Sequence, residues 1–129
     1  MPKYSALRIL IADDQGSMLQ LVRATLGQLG CTDVIACSDG MEALNRLSAQ
    51  SVDLIISDLN MPKLDGLGLL RAVRREAALQ NTPFMLLTAR GEEKPIKEAV
   101  ALGVDGYLMK PFSVVALKNR MEAVVGPSQ

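Results

Sequence analysis

The stretch Leu54-Ile55-Ile56-Ser57-Asp58-Leu59-Asn60-Met61-Pro62-Lys63-Leu64-Asp65-Gly66 decides the fold. Its first part is a short apolar run with no polar alternation, the pattern of a strand buried on both faces, as in a parallel sheet. Its second part is punctuated by Pro62 and Gly66, and reads as a loop leading into a helix. Asp58 stands at the junction. A carboxylate at the exit of a buried strand is placed for chemistry rather than for packing.

Working outward, the same layout recurs. Leu7-Arg8-Ile9-Leu10-Ile11-Ala12 runs into Asp13-Asp14, Phe84-Met85-Leu86-Leu87 into Thr88, and Tyr107-Leu108-Met109 into Lys110. Amphipathic stretches lie between these runs. Met18, Val22, Leu26 and Leu29 fall at helical spacing and Gly30 ends that segment; Val34-Ile35-Ala36-Cys37 is a second short strand. Asp39 suits a helix cap ahead of Leu44 and Leu47, and Leu67, Leu70 and Val73 mark the helix after Asp58. Glu92-Glu93 places acid at the start of a further helix whose apolar side is Ile96, Ala99 and Val100. Gly103 closes that helix, a fifth strand runs from about Gly106 to Met109, and Ser113 caps a last helix that carries Leu117, Met121 and Val124 inward.

Alternating strands and helices of this kind predict a parallel α/β sheet of five strands with helices on both faces. The 129 residues suit one domain over 1–129, with an ordered core from about 6 to 125. Gly126-Pro127-Ser128-Gln129 reads as a natural end or as a cut linker.

Composition removes several functions. Lys plus Arg and Asp plus Glu both number 14, so no basic excess points to nucleic acid or to an anionic membrane. The apolar runs are far too short to span a bilayer and the first residues lack a signal-peptide core, so no membrane insertion and a cytoplasmic address are expected. There is no histidine, which rules out a serine–histidine triad, a histidine general base and a histidine phosphodonor within these residues. Cys31 and Cys37 form no C-x-x-C pair and read as buried or half-buried free thiols.

In an open α/β sheet, function gathers at the carboxyl ends of the strands. Asp13, Asp14 and Asp58 would meet there, and each like-charge pair at ~4 Å costs ~4 kcal/mol at an effective dielectric near 20. Such a cluster calls for a divalent cation or a proton, and an oxygen-rich site with room for water and a phosphate suits Mg²⁺. Lys110 adds a fixed positive charge and Thr88 a hydroxyl donor, so a phosphoryl group would be neutralised on every side and Asp58 can serve as its nucleophile. Taken singly, the lysine reads as a solvated charge and the threonine as a strand former. Together they specify a site.

Asp13-Asp14, Asp58 with Met61-Pro62 and Asp65-Gly66, Thr88-Ala89 and Lys110-Pro111-Phe112 resemble the motifs of response-regulator receiver domains, in order and spacing over essentially the whole chain. The similarity is strongest to single-domain chemotaxis regulators of the CheY type. The resemblance implies strand order 2-1-3-4-5 in a flavodoxin-like sheet. It implies that Asp58 accepts a phosphoryl group from the phosphohistidine of a sensor histidine kinase or phosphotransfer protein, or from a small acyl phosphate. Asp13, Asp14, Asp58 and the backbone carbonyl of Asn60 would hold Mg²⁺, Lys110 and Thr88 would contact the phosphoryl oxygens, and Tyr107 would turn inward as Thr88 moves. Asn60 and Arg90 would tune the phosphoryl lifetime, although Arg90 reads equally as a solvated surface charge. The Lys110–Pro111 bond is cis in similar proteins. The output would be a change in the face built from the fourth helix, fifth strand and last helix, read by a downstream protein such as a flagellar motor switch. The protein would be a signalling phosphoacceptor rather than an enzyme.

Three rival readings fit less well. A haloacid-dehalogenase-type phosphatase needs an acid two residues beyond its nucleophile, where Asn60 stands. A flavodoxin-like electron carrier needs a phosphate-cradling loop after the first strand, where Asp13-Asp14 would repel a flavin phosphate. An interaction module that has abandoned phosphorylation would not need the full constellation. A receiver excised from a larger regulator remains an alternative.

Overall fold

Apolar runs without alternation become the central strands. The computed structural model describes residues 3–128. Five parallel strands, β1 (Arg8–Ala12), β2 (Asp33–Cys37), β3 (Leu54–Asp58), β4 (Phe84–Thr88) and β5 (Gly106–Met109), alternate with α1 (Gly16–Gln28), α2 (Gly40–Ala49), α3 (Gly66–Arg75), α4 (Glu93–Ala101) and α5 (Val114–Val125). The sheet order is β2-β1-β3-β4-β5, as the resemblance implies. Every residue of β3 and β4 is buried, while the edge strands β2 and β5 are partly open, because an edge strand has only one neighbour to shield it.

The period-2 geometry of the strands splits the core into two layers. Leu10, Ile55, Phe84 and Leu86 point to the face covered by α2, α3 and α4, where Leu47, Leu70, Val73 and Ala99 meet them. Ile9, Ile11, Ile56, Met85 and Leu87 point to the other face, against Val22 and Leu26 of α1 and Leu117 and Met121 of α5. Both cysteines are buried and free, and they belong to opposite layers.

The predicted caps form. Asp39 accepts from the Glu42 amide at 2.8 Å and Ser113 from the Ala116 amide at 3.0 Å; Asp65 does the same for Gly68 at 2.8 Å. Each such cap contributes about 1 kcal/mol to its helix.

Two expectations change. Val100 does not join Ile96 and Ala99 facing inward: it is 59% exposed, because Ala99 alone fills the contact of this nine-residue helix with the sheet, and Val100 lies a further 100° around. The core also begins earlier than residue 6. A 3-10 turn at Tyr4–Ala6 buries Tyr4, whose hydroxyl donates to the Gly126 carbonyl at 2.8 Å.

Candidate functional site

Parallel strands all present their carboxyl ends at one edge of the sheet, and this is where Asp13, Asp58, Thr88 and Lys110 come together. Carboxylate oxygens of Asp13, Asp14 and Asp58 lie within 4.8 Å of one another. The Lys110 ammonium is 3.0 Å from Asp58 Oδ1 and 3.3 Å from Asp13 Oδ2. Asp13 is almost fully buried, and its other carboxylate oxygen accepts from the Gln15 amide at 2.9 Å. Asp58 is buried, whereas Asp14 opens to solvent.

The electrostatics follow from this crowding. Burial raises the Asp58 pKa above the ordinary carboxylate value; the Lys110 hydrogen bond opposes the shift and the negative charge of Asp13 adds to it. Burial alone would lower Lys110, but its bonds and attraction to Asp58 and Asp13 outweigh that and raise it. One shared lysine therefore stays charged without fully compensating two buried acids. Three carboxylates against one ammonium leave an excess of two negative charges in an all-oxygen donor set, which fits a hard divalent cation. Thus the acidic cluster can hold a metal ion.

Local structure around Asp58 is set by glycine. The Gly66 amide donates to the Leu59 carbonyl at 2.9 Å, so α3 starts directly against the end of β3. A Cβ at Gly66 would collide with the Asp58 carbonyl oxygen and lie 2.9 Å from the Leu59 Cα, so no larger residue fits without moving the site. The Lys110–Pro111 peptide is cis. Thr88 is buried at the end of β4, beside Met109 in register, and its carbonyl accepts from the Lys110 amide at 2.7 Å.

The remaining sequence-predicted residues make contacts outside the acidic cluster. The Asn60 side chain donates to Glu92 Oε2 at 2.7 Å rather than to a carboxylate of the cluster. Arg90 is exposed and makes no ion pair among the described residues. Tyr107 is 43% exposed and faces outward, with the Arg120 guanidinium 6.0 Å from its ring centre. Glu92, read from the sequence only as an acid at a helix start, also accepts from the Ala89 amide at 2.5 Å. The signal that could have found it is an acid at an N-cap position, where Ser, Thr or Asp is the usual choice.

Residues 9–122 match the family model of the response regulator receiver domain. The chain belongs to that family. It is 38% identical over 120 residues to a probable chemotaxis protein CheY of Rhizobium etli, covering 93% of each chain. It is 37% identical over 118 residues to the chemotaxis protein CheY of Pseudomonas aeruginosa, covering 92% of this chain and 95% of that one. Among solved structures, it resembles the chemotaxis response regulator CheY4 of Vibrio cholerae with a TM-score of 0.83 and 34% identity, covering 92% of this chain and 98% of that one. It also resembles the receiver domain of a Pseudomonas aeruginosa sensor histidine kinase, with a TM-score of 0.84 and 28% identity, over 93% of this chain and 98% of that one. In that structure a magnesium ion is coordinated in the active-site cleft. The chain is thus a receiver of two-component signalling, related to chemotaxis regulators.

Proposed function

We propose that Asp58 is the phosphoacceptor, that Asp13, Asp14, Asp58 and the Asn60 carbonyl hold Mg²⁺, and that Lys110 and Thr88 stabilise the transferred group. One observation carries this reading: the Lys110 ammonium lies 3.0 Å from an Asp58 carboxylate that shares its pocket with two further acids. An Asp58 oxygen forms a bond to phosphorus as the bond to the donor breaks, and the leaving group, acetate or a kinase imidazole, departs with the electron pair. Mg²⁺, when bound, supplies positive charge to the carboxylates and phosphoryl oxygens. Lys110, already fixed between Asp58 and Asp13, provides a cation aimed at the developing charge. Asp13 is oriented by the Gln15 amide. The Asn60 carboxamide does not titrate and cannot serve as general acid or base, so no residue at that position activates water, and Asp58 stores the group rather than turning over external substrates.

The added group brings about −2 charge to a buried position. The Thr88 hydroxyl turns towards it, and a cavity of about 220 Å³ lined by Thr88, Ala89, Ile96, Tyr107 and Met109 receives the Tyr107 ring. Val100, Tyr107, Met109 and Val115 are exposed apolar residues on α4, β5 and α5, a surface suited to a protein target. A sensor histidine kinase or phosphotransfer protein is the donor. The likeness to chemotaxis proteins supports a target such as a flagellar motor switch, and a cytoplasmic site of action. No helix among the described residues is long and apolar enough to cross a membrane.

Incubation with acetyl phosphate and Mg²⁺, followed by intact mass, tests the reading. Wild type gains one phosphoryl mass and Asp58→Asn gains none. Persistence of the added mass in Asp58→Asn overturns the assignment.

A further inference from the structure

Glu92 joins two loops with one negative charge. Its carboxylate accepts from Asn60 Nδ2 at 2.7 Å and from the Ala89 amide at 2.5 Å. Asn60 stands two residues beyond Asp58 and Ala89 one beyond Thr88, so the carboxylate bridges the loops that leave β3 and β4. Glu92 is the residue before α4, yet its side chain does not cap that helix; it reaches back three residues instead. A bland reading is a loop-closing contact that only orders the chain. The charge argues for more: the carboxylate is bonded to two neutral N–H donors and, among the described residues, to no lysine or arginine.

We infer that Glu92 is a positioning residue that holds the site in its resting arrangement and is displaced when a phosphoryl group arrives. The inference rests on the assignment of Asp58 as phosphoacceptor. Two N–H donors in the loops that follow Asp58 and Thr88 are committed to an internal anion. A dianionic group on Asp58 competes for those donors and repels the carboxylate. Glu92 therefore favours the unphosphorylated population, and its removal shifts the equilibrium the other way.

Beryllofluoride, a phosphoryl analogue that binds without a covalent step, gives the test. Its affinity is measured by titration in the presence of Mg²⁺ for wild type, Glu92→Ala and Glu92→Gln, alongside phosphoryl uptake from acetyl phosphate by intact mass. Loss of a partly exposed charged hydrogen-bond acceptor predicts affinity for Glu92→Ala about three- to tenfold tighter than wild type. Glu92→Gln, which keeps one oxygen acceptor and loses the charge, falls between them. Thermal unfolding without ligand reports the loop-ordering role separately. Affinity in Glu92→Ala equal to or weaker than wild type overturns the inference, even if its melting temperature falls. Wild type that binds no beryllofluoride and takes up no phosphoryl group overturns the Asp58 assignment itself, and this inference with it.

Discussion

The Lys110 ammonium lies 3.0 Å from Asp58 Oδ1 and is shared with Asp13, so one cation serves two buried carboxylates. Removing one partner of a buried pair leaves an uncompensated charge. Lys110→Met in EDTA is therefore expected to lower unfolding stability by about 3 kcal/mol at neutral pH. Urea denaturation measures this. Part of the loss returns when Mg²⁺ replaces the missing charge; an unchanged midpoint would show that solvent already screens the pair.

Asp58 gives a pH dependence of defined sign. Burial, reinforced by Asp13 against the pull of Lys110, raises its pKa. A carboxyl raised by folding contributes stability that is fully present below its unfolded pKa and is lost as pH rises through the folded value. Without metal, wild type should lose stability relative to Asp58→Asn as pH rises above about 4. The variant is then the more stable of the two, with the higher melting temperature. Thermal scans across this range decide the matter, and saturating Mg²⁺ should shrink the gap.

Asp14 separates metal binding from folding. It is the exposed member of the acidic cluster, so Asp14→Ala should hardly change the melting temperature in EDTA. Wild type should rise in melting temperature with Mg²⁺ by mass action, and the variant should lose most of that rise. Calorimetric titration is expected to show Mg²⁺ affinity reduced about tenfold or more. An equal magnesium-dependent rise in both proteins would remove Asp14 from the metal set.

Two glycines should respond in opposite directions. Gly66→Ala drives a methyl into the Asp58 carbonyl and the Leu59 backbone, which neither can escape without shifting the strand end. A loss of about 2–3 kcal/mol is expected, with slower phosphoryl uptake. Gly27, in the last turns of α1, has nothing within 4 Å of an added Cβ. Gly27→Ala should gain about 0.5 kcal/mol through the unfolded state, with uptake unchanged. Chemical denaturation and mass uptake on both variants check the pair.

Much of the fold is legible in the sequence. Leu54–Ser57 and Phe84–Leu87 carry no polar alternation because both faces of those strands are covered, and that is a sequence-level property. Asp13, Asp58, Thr88 and Lys110 announced a common edge because each ends an apolar run. Strand order did not follow from these runs: local patterns say that strands are parallel, not which are neighbours, and the family resemblance supplied the order. Val100 misled because a short helix buries a narrower stripe than its apolar residues suggest. Tyr4 is not legible because its hydroxyl partner, Gly126, is 122 residues away. Glu92 was missed because an acid at a helix start already has an ordinary explanation, while its partner Asn60 is 32 residues away.

The Tyr4–Gly126 hydrogen bond has a topological consequence. Tyr4 precedes the start of β1, and α5 returns across the sheet to end at Gly126, so both lie at the pole opposite Asp58. Any sequence joined before Tyr4 or after Gly126 leaves from that pole, close to the other end and away from the incoming phosphodonor. Tyr4 and Gly126 are thus near enough for a short linker to join them in a circular permutant.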